Sequence, residues 1–467
     1  MAKQTETRGR GKEIAGEWLE RRIAEHVHSR RRRLAKYWSY YRNAKGDPDG
    51  QRSGLPSRLL EVNSEGGSHE VVIENDIAWR IHAMVDFMLS QPVTIQSLAG
   101  EKDREAKIEA FLREVLEKNG GLGFLQDMAL LGGIYGFSDV LVRVNDDKQI
   151  VLEIVDPQHV IPVLHQTDYR RVVGYVIHWR QKGAPATIGR FAKLSRRLFG
   201  QGSWNAGVTH THVWTNESLH VYEQHGQGSE RELVSDEVNR LGRIPVVHIQ
   251  NVSQPFYYEG LGEVEPLMAL QDELNTRLSD RANRVTFQSF KMYLGKGIDD
   301  FIERPVGPGQ MWSTSNPDAE VITFGGDGKT PSEETHISEV REAMDKASGV
   351  SPLVTGSVNG RIGNLTSENA LRIVMLGLIN KTSKKRVTYG EGLEQICELI
   401  LHAANVYGIF KNDPKERRVR LDWADPMLVG ESQQLKNAKM KRDLGVPESQ
   451  VLTELGYAEA DIKTTTE

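Results

Sequence analysis

The 467 residues carry 59 lysines and arginines against 64 aspartates and glutamates, a formal net charge of −5, so there is no basic surplus of the kind that grips nucleic acid by neutralising phosphates. A single cysteine, Cys397, excludes an intramolecular disulfide framework and a cysteine-rich zinc site. The N-terminus lacks an apolar signal core and no stretch approaches about 18 consecutive apolar residues, so the chain is expected to be soluble, at a length that suits about three domains or one elongated chain of several parts.

In chain order, the polar, basic residues 1–12 give way to a helical pattern from Lys12 to Asn43, with Ile14, Trp18, Ile23, Val27 and Leu34 apolar and Arg30 to Arg33 between them. A charge run of this kind usually forms a solvated face that answers nearby acids; contact with an acidic partner or with nucleic acid are its alternatives. Residues 44–69, rich in Gly, Ser, Pro and Asn, read as a long loop. Helices are expected at Val71–Ser90, stopped by Pro92, then at Lys102–Lys118 and Phe124–Tyr135. At Phe137 the period changes. Asp139–Val144, Ile150–Val155, Val172–Trp179, His210–Trp214, Ser218–Glu223 and Val246–Ile249 are short, β-branched and punctuated by turn residues, which predicts antiparallel sheet. An exposed excursion with Arg190, Lys193, Arg196 and Arg197 is expected between Lys182 and Gly207.

Gly260–Lys296 reads as one long helix, because Leu267, Leu270, Leu274, Leu278, Ala282 and Val285 recur at three- and four-residue intervals and Pro266 is tolerated in a first turn. Glu273 with Arg277, and Asp280 with Arg284, are acid-before-base pairs four apart on its other face. One narrow apolar seam suits a rod packed between neighbours. A Pro/Gly-rich, strand-like insert spans Ile298–Pro331, with short apolar runs at Gln310–Ser313 and Glu320–Phe324; an acidic helix, Glu333–Ala347, follows. Gly349–Thr366 breaks all periodicity and carries one charge, Arg361. Thr366 or Ser367 then caps a helix running to Val406, in which Gly390 and Gly392 would allow a kink. A strand at Arg418–Trp423 and helices at Gln433–Leu444 and Glu448–Leu455 complete the chain.

The run Ile244-Pro245-Val246-Val247, Asn251, the Gly260-x-Gly262-Glu263-Val264-Glu265-Pro266-Leu267 stretch, Leu270-Gln271-Asp272-Glu273-Leu274-Asn275 and Ser279-Asp280 resembles portal proteins of tailed double-stranded DNA bacteriophages, over roughly residues 70 to 456. The resemblance implies an α+β fold with long stem helices, a helical and antiparallel-β wing, a small β clip and a helical C-terminal crown. It divides the chain into an N-terminal arm (1–69), wing (70–259), first stem helix (260–296), clip (297–332), second stem helix (333–348), tunnel loop (349–366), long wing or crown helix (367–411) and crown (412–467). It also implies a homo-oligomeric, dodecameric ring at one capsid vertex of the virion, assembled in the host cytoplasm, through which DNA is packaged, retained and ejected. Such a conduit is better lined by acidic or neutral groups than by basic ones. The implied partners are the terminase large subunit, a head-completion or adaptor protein, and the major capsid and scaffold proteins, with no membrane. Site residues carried by the resemblance are Leu353, Val354, Val358, Asn359, Arg361 and Ile362 in the tunnel loop, touching DNA; Leu267, Leu270, Leu274, Leu278, Glu273 and Arg277 on the stem helix; and Arg304, Trp312 and Phe324 on the clip as partner contacts, with burial in the clip's own sheet the alternative for Trp312 and Phe324.

Gly325-Gly326-Asp327-Gly328-Lys329-Thr330 imitates the end of a phosphate-binding loop, but position 323 is threonine where the motif needs glycine, and Pro331 sits where the helix should begin. A nucleotide-binding enzyme using this loop is the alternative reading; a glycine-rich turn leaving the clip is the better one. His210 and His212 share a strand face, with His220, His225 and His248 candidates for company, but alternating histidines on a strand are common without a metal. The eight tryptophans are too scattered for a base-stacking platform. No catalytic residue, metal or cofactor is expected.

Overall fold

A computed structural model describes residues 17–43, 70–181, 207–225, 230–289, 292–297, 315–324, 331–352, 372–424, 431–446 and 451–452. Helix α1 (Glu17–Glu25) passes through a π-helical turn, His26–Arg30, into α2 (Arg31–Arg42), which ends on Asn43 in the left-handed region. The Arg30–Arg33 run answers an acid: Arg30 and Arg33 both pair with Glu259. Helix α3 begins later than its apolar pattern suggests, at Asp76–Met88, with Asn75 Oδ1 accepting the Ala78 N–H as a cap. Val71–Asn75 is not helical and carries no regular secondary structure. Strand β1 (Thr94–Ser97), α4 (Lys102–Lys118) and α5 (Gly121–Tyr135) follow.

Two antiparallel sheets form the middle of the chain. Strand β2 (Phe137–Val144) lies between β3 (Ile150–Val155) and β9 (Val246–Gln250). The second sheet runs β4 (Val160–Leu164), β5 (Val172–Arg180), β6 (Val208–Trp214), β7 (Ser218–His225), β8 (Glu232–Val238) in spatial as in chain order. The six strands predicted between Asp139 and Ile249 are all present, and β4 and β8 are added to them. Leu141, Val155, Val160, Tyr175 and Ile177 make a small core between the sheets. Leu19 and Ile23 of α1 cover the other face of the five-stranded sheet at Ile161, Val176, Val213 and Tyr222. Gly136, between α5 and β2, has φ of 88° and faces the Gly260 carbonyl so closely that a side chain there would collide with it.

The long helix expected at Gly260–Lys296 is shorter than its pattern. A 3₁₀ turn, Glu265–Leu267, leads into α6 (Met268–Ser289), and Met292–Lys296 is a strand, β10, paired antiparallel with β11 (Glu320–Phe324). Helix α7 (Pro331–Ser348) packs back along α6. Helix α8 (Leu376–Val406) continues through Gly390 and Gly392 without interruption. At Gly392 the missing side chain admits Ile249 of β9, so close approach, not a kink, accounts for that glycine. Strand β12 (Val419–Asp422) pairs with β1, and α9 (Glu431–Asp443) follows. The main core joins α2 to α8 with the three-stranded sheet, including Leu267, Leu274 and Leu278 of the α6 seam and Ile337, Val340 and Met344 of α7.

Candidate functional site

The α6–α7 pair has a dry seam and a charged surface. Leu267 and Leu274 are fully buried and Leu278 nearly so; Leu270 is half-buried, and Val285, near the far end, is exposed. On the charged side Arg277 Nε donates to Glu273 Oε1 at 2.7 Å, and its Nη1 lies 3.4 Å from Asp280. His336 Nε2 of α7 lies 3.0 Å from the same Glu273 oxygen, and hydrogen bonds from Arg277 and His336 hold that carboxyl below its ordinary range. The expected Asp280–Arg284 pair is replaced: Arg284 reaches across to Glu333 of α7 at 2.5 Å. The ion pairs thus staple two helices as well as decorating one. Glu334, Glu339 and Glu342 are exposed on α7, with Lys346 the basic residue in its last turn.

A third face of α6 carries a polar ladder. Gln271, Asn275, Ser279 and Asn283 stand four residues apart, about 6 Å along a helix, which nearly matches two residues of extended chain. Residues 70–75 and the first residue of α3 present alternate backbone N–H groups to this ladder: Glu70 to Asn283 Oδ1 at 2.8 Å, Val72 to Ser279 Oγ at 3.0 Å, Glu74 to Asn275 Oδ1 at 3.2 Å and Asp76 to Gln271 Oε1 at 3.2 Å. Gln271 Nε2 returns a bond to the Glu74 carbonyl at 2.7 Å, and Asn275 Nδ2 one to Asn43 Oδ1 at 3.1 Å. A strand-like strap is satisfied without a sheet. Arg80, buried, completes the attachment by pairing with Asp76 at 2.8 Å and with Asp345 of α7 at 2.5 Å.

Where α7 and α8 meet the stretch before α6, one buried carboxylate holds two lysines. Glu263, from the glycine-flanked stretch before α6, meets Lys381 and, at 2.9 Å, Lys385, one helical turn apart on α8. Lys381 Nζ also donates to the Ser348 carbonyl at the end of α7, at 2.9 Å. The Glu263 backbone N–H is held by the Gly133 carbonyl at 2.7 Å, and Asn251, fixed by the Tyr389 hydroxyl at 3.1 Å, donates to Glu263 Oε1 at 3.3 Å. Burial pushes the Glu263 carboxyl up, and Lys385 and Lys381 pull it back below its ordinary value; burial likewise lowers Lys385, against the pull of Glu263. This junction also joins the described ends of α7 and α8, on either side of residues 353–371.

The expected loop contacts Leu353, Val354, Val358, Asn359, Arg361 and Ile362 lie outside the described residues, as do Arg304, Trp312 and the Gly325–Thr330 turn. Phe324 is placed by its backbone, opposite Met292 in the β10–β11 ribbon. His210 stacks on Trp179 with ring centroids 5.2 Å apart, and His212 meets the same ring edge-on at 4.7 Å. Among the described residues no group of three or more His, Cys, Asp or Glu is arranged to hold a metal, and no helix is long and apolar enough to cross a membrane.

The sequence matches the family described as "Phage portal protein, SPP1 Gp6-like" over residues 22–456. No curated protein matches it. Among solved structures it is similar to a chain of the virion of a native gene transfer agent (GTA) particle, at 11% identity and a TM-score of 0.46, covering 86% of this chain and 98% of that one. A chain from the neck of an empty GTA particle, computed with C6 symmetry, gives 12% identity and a TM-score of 0.47, covering 85% and 98%.

Proposed function

The chain belongs to the SPP1 Gp6-like phage portal family, and from that premise we propose that it is the subunit of a closed, dodecameric ring at one capsid vertex, through which double-stranded DNA is packaged, retained and ejected. The observation that carries this reading is the family match across residues 22–456. The α6–α7 pair, bracketing the β10–β11 ribbon, supports it: in this reading the helices are the stem and residues 297–332 the clip. Residues 70–259 are the wing, 1–69 an N-terminal arm, 367–411 the long wing or crown helix, and 412–467 the crown. The exposed carboxylates of α7 suit a bore that does not hold phosphates. The subunit performs no chemistry; the ring is a conduit and a dock.

The clip, with Arg304, Trp312 and Phe324, is the docking surface for the terminase large subunit and then for a head-completion protein, while the wing and arm face the major capsid and scaffold proteins. Residues 349–366 form the tunnel loop. Leu353, Val354, Val358 and Ile362 make sliding contacts with the duplex there, and Arg361 with Asn359 supplies the polar ones. The test is packaging by particles carrying Arg361→Ala with Asn359→Ala. Rings should assemble normally, and the length of DNA packaged or its retention should fall; unchanged assembly, length and retention would make the loop an ordinary connector.

A further inference from the structure

Strand β8 is an edge strand of the five-stranded sheet, and its composition does not fit simple protection of an edge. Acids and a bulge are the usual safeguards against edge pairing, and β8 has both: Glu232, Asp236 and Glu237 are exposed, and the register shifts at Val221/Tyr222. Yet Leu233, Val234 and Val238 are 53%, 58% and 80% exposed, which safeguards alone do not require. Glu232 also stands directly opposite Glu223 on β7, a like-charge pair that is locally unfavourable. An apolar, acidic edge of this kind suits a basic, aromatic partner surface.

Such a surface exists on the same chain. A groove of about 760 Å³ opens between the β4–β5 turn, the 253–258 loop and α8, and its walls include Tyr169, Arg170, Arg171, Arg243 and Tyr257, with Glu391 the acid among its lining residues. Arg243 binds Glu398 through Nη1 at 3.1 Å, while its buried Nε and Nη2 have no hydrogen-bond partner among the described residues. Beside it Phe256 has φ of 71° and is 79% exposed, touching the Tyr169 ring at 5.7 Å; a bulky residue held in the left-handed region with its ring in solvent points to a contact made outside the subunit. β4 and β8 are the opposite edges of one sheet, separated by four strand spacings of about 4.8 Å, so β8 is placed to meet a neighbour's groove rather than its own.

We infer that the occupant of this groove is the β8 edge of the next copy of this chain, the arginines taking the β8 acids and Phe256 and Tyr257 covering Leu233, Val234 and Val238. This rests on the ring reading and specifies its wing contact: a heterologous one, which repeats head to tail and closes when the rotation permits.

The test uses the full chain in two charge-reversed forms. One carries Glu232→Arg and Glu237→Arg, so that edge and groove are both basic; the other carries Arg170→Glu and Arg171→Glu, so that both are acidic. Each alone should lose ring, by about tenfold or more in assembled fraction, since like charges face each other across the contact. Mixed in equal amounts they should assemble to within about twofold of the unaltered chain, because each edge then meets a complementary groove. Unfolding midpoints matching the unaltered chain establish that each variant is folded. If the unaltered chain forms no ring, the ring reading fails. If it does and both variants also assemble, or folded variants fail to rescue one another, this contact is overturned and the edge serves another protein or none.

Discussion

Glu263 keeps its charge in a fully buried position because two lysines and the Ser348 carbonyl close the circuit around it. Removing one member of such a group leaves uncompensated charge in the interior. Glu263→Gln is therefore expected to destabilise the subunit by about 3–5 kcal/mol, measured as a shift in denaturant midpoint at constant slope; a cost near zero would mean the junction is solvated. The folded carboxyl lies below its unfolded value, so this contribution is present above the ordinary carboxylate range and is lost as pH falls through the folded value. Histidines act earlier in the acid titration. Burial lowers His26 and His178 from 6.5 to about 4, so between those values the unfolded chain binds protons that the folded one refuses. Stability should decline with acidification across that window by about 1.4 kcal/mol per pH unit for each histidine, checked by unfolding midpoints of the native chain against a His26→Gln, His178→Gln variant, which should be flatter. Neither feature could be read from the sequence. Glu263 stood out only as part of a glycine-flanked motif, its lysines more than a hundred residues away, and nothing local distinguishes His26 from the exposed His28.

At the scale of elements, periodicity located helices and strands well where a local apolar face settles the matter, as in α4, α5, β2 and β3. It failed where the partner is distant. Val71–Asn75 looked like the first turn of α3, yet it stays out of the helix because Gln271, Asn275, Ser279 and Asn283 of α6 take up alternate backbone N–H groups from Glu70 to Asp76. The helical reading of Met292–Lys296 failed likewise, since its pairing with β11 spans an insert. Strand β8 was missed because an exposed edge lacks the alternation that a half-buried strand shows. The ladder makes a graded prediction. Asn275 bonds the Glu74 N–H, Gln271 and Asn43 while buried, so Asn275→Leu should cost about 1–3 kcal/mol by leaving those groups unpaired. Arg284→Ala, which removes a half-exposed ion pair, should cost no more than about 1 kcal/mol. Equal costs would argue that the strap is held by something other than the ladder.

For the whole molecule, the α+β character and the family were legible from the residues between Ile244 and Asp280 and from the change of period at Phe137. The loop and clip residues on which the functional reading depends carry no periodic signal, and the interface that a ring requires is a property of two copies, absent from any single-chain pattern. An overall charge of −5 and the acidic face of α7 make weak, salt-sensitive binding of duplex DNA the expectation for the assembled protein; nanomolar affinity at physiological salt would contradict a sliding conduit. Native mass measurement of the purified protein tests the closed ring most directly. A closed ring gives one dominant species at a fixed multiple of the 52.5 kDa subunit, a dodecamer, whereas a 52.5 kDa monomer persisting at high protein concentration would contradict it.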